Sequence, residues 1–125
     1  MKWSQAEQRI RVQVVAGSTS VLKCDGVERR AVTSNSGEKI GMRTGATTRH
    51  TKAITYEMLR YGFEVLQVKG KFDSRDFRAR FGAEYRAAPC RYSMTGGVLV
   101  EIGAATLVPG DAEEECHYLK ATGHP

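Results

Sequence analysis

Three consecutive stretches between residues 53 and 102 carry apolar side chains at helical spacing, and each stretch ends at a glycine or a proline. In the first, "ITYEMLRYGFEVLQVKGKF", Leu59, Phe63 and Leu66 lie on one helical face, which predicts that this face packs inward. Gly70 follows as a helix stop, because glycine adopts the left-handed backbone conformation without strain. Three short helices in a row must bury their apolar faces against one another, so the pattern predicts a small helical core.

The second stretch, "DSRDFRARF", is short and has a capping residue at its start. Asp73 or Ser74 can accept hydrogen bonds from the first free amides of a helix. Phe77 and Phe81 are four residues apart, so they share one face and are predicted to pack inward. The opposite face carries the arginines Arg75, Arg78 and, beyond them, Arg86.

The third stretch, residues 90–102, follows Pro89 and stops at Gly103. Gly96 and Gly97 stand inside it, and adjacent glycines in a helix cost about 1 kcal/mol each relative to alanine. The sequence therefore predicts a third helix that begins late or is distorted. Two alternating segments, "ATLV" and "CHYLKA", flank "PGDAEEE" and are typical of a terminal β-hairpin.

The first part of the chain has a different pattern. Apolar residues at helical spacing over residues 3–14 predict a first helix, with a capping box that begins at Ser4. Strand-forming segments follow, and the last two are joined by the turn sequence "SNSG". Residues 27–44 are therefore predicted to form a β-hairpin, and residues 44–51 a polar and basic connector.

The order of these elements resembles a winged helix-turn-helix domain. "YEMLRYGFEVLQVKGKFDSRDFRARF" resembles its first helix, turn and second helix, and "SMTGGVLVEIGAATLV…CHYLKA" resembles its third helix and β-wing. The prediction is an α+β fold, in which an N-terminal helix and small antiparallel sheet are fused to a winged-helix-like three-helix unit with a C-terminal β-hairpin. We expect one domain over residues 1–125, with 1–51 as the helix and hairpin part and 52–121 as the winged-helix-like half.

Charge is distributed unevenly along the chain. Residues 1–42 have seven Lys/Arg and four Asp/Glu, residues 43–91 have eleven and five, and residues 92–125 have one and five. The net charges are +3, +6 and −4, so the middle of the chain is basic and its end is acidic. A basic central segment favours binding to a polyanion such as nucleic acid.

The resemblance implies a non-enzymatic protein that binds double-stranded DNA, such as a small transcriptional regulator. Its third helix would enter the major groove, with Arg91, Tyr92, Ser93 and Thr95 exposed near the start. The start of the second helix, at Ser74 and Arg75, would meet a phosphate, and Arg78 would lie on the same surface. Arg49 and Lys52 would add phosphate contacts that weaken as salt rises.

Two alternatives remain open at this point. The wing tip carries Asp111, Glu113, Glu114 and Glu115, which phosphate would repel, so the unit could instead bind a basic protein partner. If residues 63–70 formed a strand, Gln67 and Lys69 would lie on one side of it. That spacing resembles the end of the restriction-endonuclease-like motif and would favour a small Mg²⁺-dependent nuclease.

Other chemistry has little support in the sequence. We predict no cofactor and no metal site, because the three cysteines (Cys24, Cys90 and Cys116) are widely spaced and form no CxxC pair. Reduced thiols in a cytoplasmic protein are the expectation, without a disulfide framework. No apolar run approaches the ~18 residues of a membrane span. A homodimer through the N-terminal half is predicted, since paired half-sites on DNA suit such a fold.

Overall fold

The N-terminal part is a helix and an antiparallel meander. A computed structural model describes residues 1–44 and 50–122. The first elements are α1 (Trp3–Gln13), β1 (Ser20–Leu22), β2 (Arg29–Asn35), β3 (Lys39–Arg43) and β4 (Thr51–Thr55). Each strand pairs with its neighbour in sequence, in the order β1-β2-β3-β4. The predicted hairpin over residues 27–44 is confirmed, with Asn35 opposite Ile40 next to the turn.

The C-terminal part has three helices and a second sheet. Its elements are α2 (Tyr56–Lys69), β5 (Lys71–Asp73), α3 (Ser74–Ala87), α4 (Cys90–Glu101), β6 (Ala105–Val108) and β7 (His117–Lys120). Strand β5 lies between α2 and α3 in the chain but pairs with β7, so the sheet order is β5-β7-β6. The terminal hairpin therefore gains a third strand from the segment between the first two helices of this half. The predicted α+β fold with its winged-helix-like half is confirmed.

The helical pattern predicts that the second helix starts near Lys52 or Ala53, and this prediction is wrong. Residues near Lys52 and Ala53 belong to β4, because every residue of Thr51–Thr55 pairs with β3. The helix begins only at Tyr56, where the Thr55 hydroxyl accepts a hydrogen bond from the Met58 amide at 3.1 Å. Of the predicted connector, residues 45–49 lie outside the described residues.

Two of the three other predicted helix ends are confirmed. Gly70 ends α2 in the left-handed conformation with φ 76°, as predicted. The Asp73 carboxylate accepts from the Asp76 amide at 3.0 Å, and the Asp76 carboxylate accepts in turn from the Asp73 amide. The box expected at Ser4 does not form, because α1 starts earlier, and there the Lys2 amide donates to Gln5 Oε1 at 2.8 Å.

An aromatic cluster holds the winged-helix-like half together. Phe72 on β5 is fully buried, and its ring centroid lies 5.4 Å from that of Tyr92, 6.2 Å from Tyr118 and 6.4 Å from Phe77. These four residues come from β5, α3, α4 and β7. The cluster therefore joins two helices to the second sheet through one ring.

The two glycines in α4 allow both sheets to approach this helix closely. A Cβ on Gly96 would overlap the Tyr118 ring of β7, and a Cβ on Gly97 would lie 2.9 Å from the Leu22 carbonyl oxygen of β1. The helix nevertheless runs from Cys90 to Glu101, so the predicted late start is wrong. Packing against both sheets offsets the helix-propensity cost of the glycines.

Replacing Gly96 with alanine is expected to lower the free energy of unfolding by about 2 kcal/mol or more, because the added methyl group meets the buried Tyr118 ring. Urea denaturation followed by circular dichroism measures the change. Gly82→Ala is the matched control, since its Cβ would meet only the flexible end of Arg86 at 3.3 Å. Equal stability of the Gly96→Ala and wild-type proteins would contradict the packing of β7 on α4.

Candidate nucleic-acid interface

Helix α3 presents a row of arginines to solvent. Its inner face buries Phe77 and Phe81, so the residues on the other side point outward. Arg75, Arg78 and Arg86 are exposed there. The helical spacing predicted that these arginines lie on the face opposite Phe77 and Phe81, and the structure confirms that they are exposed.

The shape of α3 divides this row. Phe81 has non-helical backbone angles (φ −116°, ψ 41°), which kink the helix between Arg78 and Arg86. The Arg86 side chain extends toward the other two arginines, because its Nη1 lies 3.3 Å from the position that a Cβ on Gly82, one turn earlier, would occupy. Arg86 therefore reaches back along α3 toward the kink.

Two carboxylates on or near α3, those of Asp76 and Glu57, are paired with other basic side chains. Arg80 pairs with Glu57 at 2.8 Å, and Lys69 pairs with Asp76. Among residues 1–44 and 50–122, no ion pair within 4.0 Å involves Arg75, Arg78 or Arg86, which together form the arginine row. The row thus keeps its positive charge facing solvent.

Contacts of Arg78 hold its side chain against the helix. Its guanidinium carbon lies 5.3 Å from the Tyr85 ring centroid, and its Nε donates to the Ser74 carbonyl at 3.4 Å. Stacking on an aromatic ring leaves the edge of a guanidinium group free to donate hydrogen bonds. Arg78 can therefore contact a phosphate without losing its support.

The predicted exposure of the third helix is wrong. Tyr92, Ser93 and Thr95 are fully buried, and Tyr92 donates its hydroxyl proton to the Cys116 carbonyl at 2.8 Å. The Thr95 hydroxyl donates to the Arg91 carbonyl at 2.8 Å. The physical reason is tertiary and comes from both halves of the chain. Tyr92 packs among Phe72, Phe77 and Tyr118 of the C-terminal half. On the other side, Arg30 of β2 donates to Ser93, and β1 packs on Gly97.

Arg91 is half-buried and serves the fold. Its Nε donates to the Ala53 carbonyl of β4 and its Nη1 to the Glu84 carbonyl of α3, both at 3.1 Å. Two of its donor groups are therefore engaged with main-chain oxygens. The side chain links the N-terminal sheet to the helical unit instead of extending into solvent.

The remaining predicted residues have different positions. Ser74 is 2% exposed, so its predicted exposure is wrong, and the Asp73 carboxylate already accepts from the Asp76 amide at the helix start. Arg75 is exposed, and its phosphate contact stays a prediction. Lys52 is exposed on β4, as a phosphate contact requires. Arg49 lies outside the described residues.

The wing, residues 109–116 between β6 and β7, folds back onto the N-terminal sheet. Glu113 points inward, and its Oε1 accepts hydrogen bonds from the Ser93 hydroxyl at 2.7 Å and from Arg30 Nη2 at 3.4 Å. Burial raises the pKa of the Glu113 carboxyl, while Ser93 and Arg30 act in the opposite direction. Asp111, Glu114 and Glu115 are exposed, so the acidic wing tip was predicted correctly for these three.

The cysteine prediction is wrong for two of the three residues. Cys24, after β1, and Cys116, before β7, form a disulfide with their Cα atoms 5.6 Å apart. Cys90 has a free, half-buried thiol. A separation of 92 residues gave no local signal for the pairing, because only the folded wing brings the two segments together.

The strand interpretation of residues 63–70 is also wrong. Residues through Lys69 belong to α2, and Gln67 and Lys69 are exposed on that helix. Lys69 pairs with Asp76, whose hydrogen bond raises the pKa of the lysine. The extended geometry on which the nuclease hypothesis depended is absent from this described helix.

Aromatic side chains are withdrawn from the surface. The chain has one Trp, five Tyr and four Phe, and each of them is buried or half-buried. Binding to single-stranded nucleic acid relies on exposed aromatic rings that stack with bases. Only Trp3, Tyr61 and Tyr85 are half-buried rather than buried, so the described surface offers little aromatic area for stacking with bases.

Comparisons with protein-family models, curated proteins and solved structures found no match to this chain. None of the described helices is long and apolar enough to cross a membrane. The function is therefore inferred from the positions, charges and contacts of the chain's own residues.

Proposed function

We propose that the protein is a non-enzymatic, double-stranded DNA-binding protein that contacts the phosphate backbone through the exposed arginines of α3. The observation that carries the proposal is the arginine row of Arg75, Arg78 and Arg86. All three are exposed on one helix, and none takes part in an ion pair among the described residues. Arginine donates paired hydrogen bonds in a geometry that fits phosphate oxygens.

The buried third helix decides what kind of binding is proposed. Base sequence is read by side chains that reach base edges in a groove, whereas phosphate contacts carry little sequence information. Because Tyr92, Ser93 and Thr95 are buried, the proposal omits base reading by α4. We therefore expect binding that depends weakly on sequence and strongly on salt.

Duplex is favoured over single-stranded DNA. The aromatic side chains are buried or half-buried, which removes the base-stacking contribution on which single-strand affinity depends. Charge is then the main attraction, and a duplex has the higher density of phosphates along its axis.

Replacing Arg75, Arg78 and Arg86 with alanine together is expected to abolish most duplex binding. With three phosphate contacts, the association constant of the wild-type protein should fall about 40-fold between 50 and 200 mM salt. The triple variant should bind weakly at both salt concentrations. Fluorescence anisotropy of a labelled duplex of mixed sequence measures these constants.

A matched control removes the same number of charges elsewhere. Lys2 at the N-cap of α1, Arg29 on β2 and Lys120 on β7 are exposed, and replacing all three with alanine gives the same net charge as the arginine variant. This control should retain most of the wild-type affinity. An equal loss in both triple variants would mean that only net charge matters and would contradict a specific role for α3.

A second candidate is binding to a basic protein partner. The exposed Asp111, Glu114 and Glu115 on the wing favour it, because together they form an acidic tip. The Glu113 carboxylate faces inward and is not part of this tip. Wild-type protein that fails to bind duplex at 50 mM salt would favour this alternative. A homodimer through the N-terminal half stays a prediction.

A further inference from the structure

The tip of the wing brings two sulfur atoms and a carboxylate together. Cys24 follows β1, and Glu113 and Cys116 belong to the wing before β7. One potential ligand atom from each of these residues lies within 4.8 Å of the others. Cys24 and Cys116 are buried, and Glu113 is half-buried. This grouping joins the N-terminal sheet to the wing.

The Glu113 carboxylate has one oxygen without a partner. Its Oε1 accepts from Ser93 and Arg30, whereas its Oε2 is buried and accepts no hydrogen bond from the described residues. Arg30 Nε is buried without a partner as well. Leaving a buried polar atom unsatisfied is costly. A cation bound at Oε2 would satisfy the carboxylate oxygen.

We propose that reduction of the Cys24–Cys116 disulfide creates a Zn²⁺ site whose ligands are the two thiolates and Glu113. A dithiol reductant supplies two electrons and two protons: the S–S bond breaks, two Cys thiols form, and the reductant becomes a disulfide. Zn²⁺ then displaces the two thiol protons, which pass to water, and forms two Zn–S bonds and one Zn–O bond.

The charges around the site favour this composition. Two thiolates and one carboxylate exceed the charge of Zn²⁺ by one negative charge, and the guanidinium of Arg30 supplies the balancing positive charge. Arg30 is 7% exposed and lies 3.4 Å from Glu113 Oε1. Arg30 and Ser93 would thus orient the carboxylate in the way that second-sphere groups orient metal ligands.

A fourth ligand position is available next to the cluster. A cavity of about 240 Å³ lies beside Cys24, Arg30 and Glu113 and is also lined by Asp25, Asp111 and Lys23, whose ammonium pairs with Glu28. It is large enough to hold a water molecule as the remaining ligand of a tetrahedral ion. Zn–S bonds of about 2.3 Å in tetrahedral geometry hold the sulfurs about 3.8 Å apart. The metal site and the disulfide therefore exclude each other.

Titration of the reduced chain with Co²⁺ tests the proposal, after the dithiol is removed under argon. One Co²⁺ per chain should bind, with a thiolate-to-cobalt charge-transfer band that Zn²⁺ abolishes. The oxidised chain should show no such band. Cys24→Ser and Glu113→Gln should weaken binding at least about tenfold, and the control Cys90→Ser should bind like the wild type. No band with the reduced wild type, or wild-type binding by Glu113→Gln, would overturn the proposal.

A second measurement needs no variant and covers the case in which a substitution prevents folding. Zn²⁺ should slow oxidation of the Cys24 and Cys116 thiols in the reduced wild-type protein at least about tenfold, because bound thiolates are withheld from disulfide formation. Counting free thiols over time, with and without Zn²⁺, measures the rate. Equal rates would contradict the site.

Discussion

Replacing Phe72 with alanine should lower the free energy of unfolding by about 3–5 kcal/mol. The ring is fully buried, and its contacts join Phe77 of α3, Tyr92 of α4 and Tyr118 of β7. Removing it leaves a cavity in the middle of the winged-helix-like half, which the surrounding rings can fill only in part. A loss of this size is a large share of the stability of a small protein.

Urea denaturation monitored by far-ultraviolet circular dichroism and by tyrosine fluorescence measures the loss. Val68→Ala is the matched control, because Val68 is 86% exposed on α2 and its truncation leaves no cavity. The control should change the free energy of unfolding by less than about 0.5 kcal/mol. Similar losses in the two variants would contradict the central position of Phe72.

Replacing Arg30 with methionine should cost about 3 kcal/mol, because it leaves the Glu113 carboxylate without its cation. Arg30 Nη1 donates to Ser93 at 2.9 Å and Nη2 to Glu113 at 3.4 Å, so one side chain supports both groups. The side chain of Glu113 is 18% exposed, which leaves little water to replace the guanidinium. Chemical denaturation under oxidising conditions, with the disulfide intact, measures the cost.

A double variant separates the ion pair from simple packing. Arg30→Met with Glu113→Leu replaces both charges by apolar groups and should recover most of the lost stability. The exposed pair of Arg60 and Glu64 is the comparison, since breaking it by Arg60→Met should cost less than about 1 kcal/mol. If the double variant were as unstable as Arg30→Met alone, the loss would come from packing around Arg30 and not from an unpaired charge.

Local signals in the sequence were sufficient for much of the C-terminal half. The left-handed stop at Gly70, the cap at Asp73 and the inward pair of Phe77 and Phe81 each depend on residues within one helical turn. The exposure of Arg75 follows from the same periodicity. The order of elements then follows, because a helix and a hairpin each have a recognisable local pattern.

The burial of α4 could not be predicted in this way. It depends on β7 packing over Gly96 and β1 packing over Gly97, and β1 lies near the opposite end of the chain. The sequence placed Tyr92, Ser93 and Thr95 near the start of an amphipathic helix, but did not indicate that the helix is packed from both sides, with Tyr92 in the aromatic cluster and Ser93 against Arg30. The two glycines are the available signal, since adjacent glycines inside a helix are typical of close approach by another backbone or ring.

The pairing of Cys24 with Cys116 had no local signal either. The inward orientation of Glu113 is a similar case, because a charged residue in an acidic run is expected to face water. It is held by Ser93 and Arg30, which are distant in sequence and come together only when the wing packs on the N-terminal sheet.

Binding of duplex DNA by α3, and not by α4, is tested most directly by NMR titration of the ¹⁵N-labelled oxidised protein. Addition of a short duplex at low salt should shift the side-chain Nε–Hε signals of Arg75, Arg78 and Arg86 and the backbone amides of α3. The amides of residues 92–99 and of the wing should stay in place. Shifts confined to α4 and the wing, or no shifts with duplex in excess, would contradict the proposed interface.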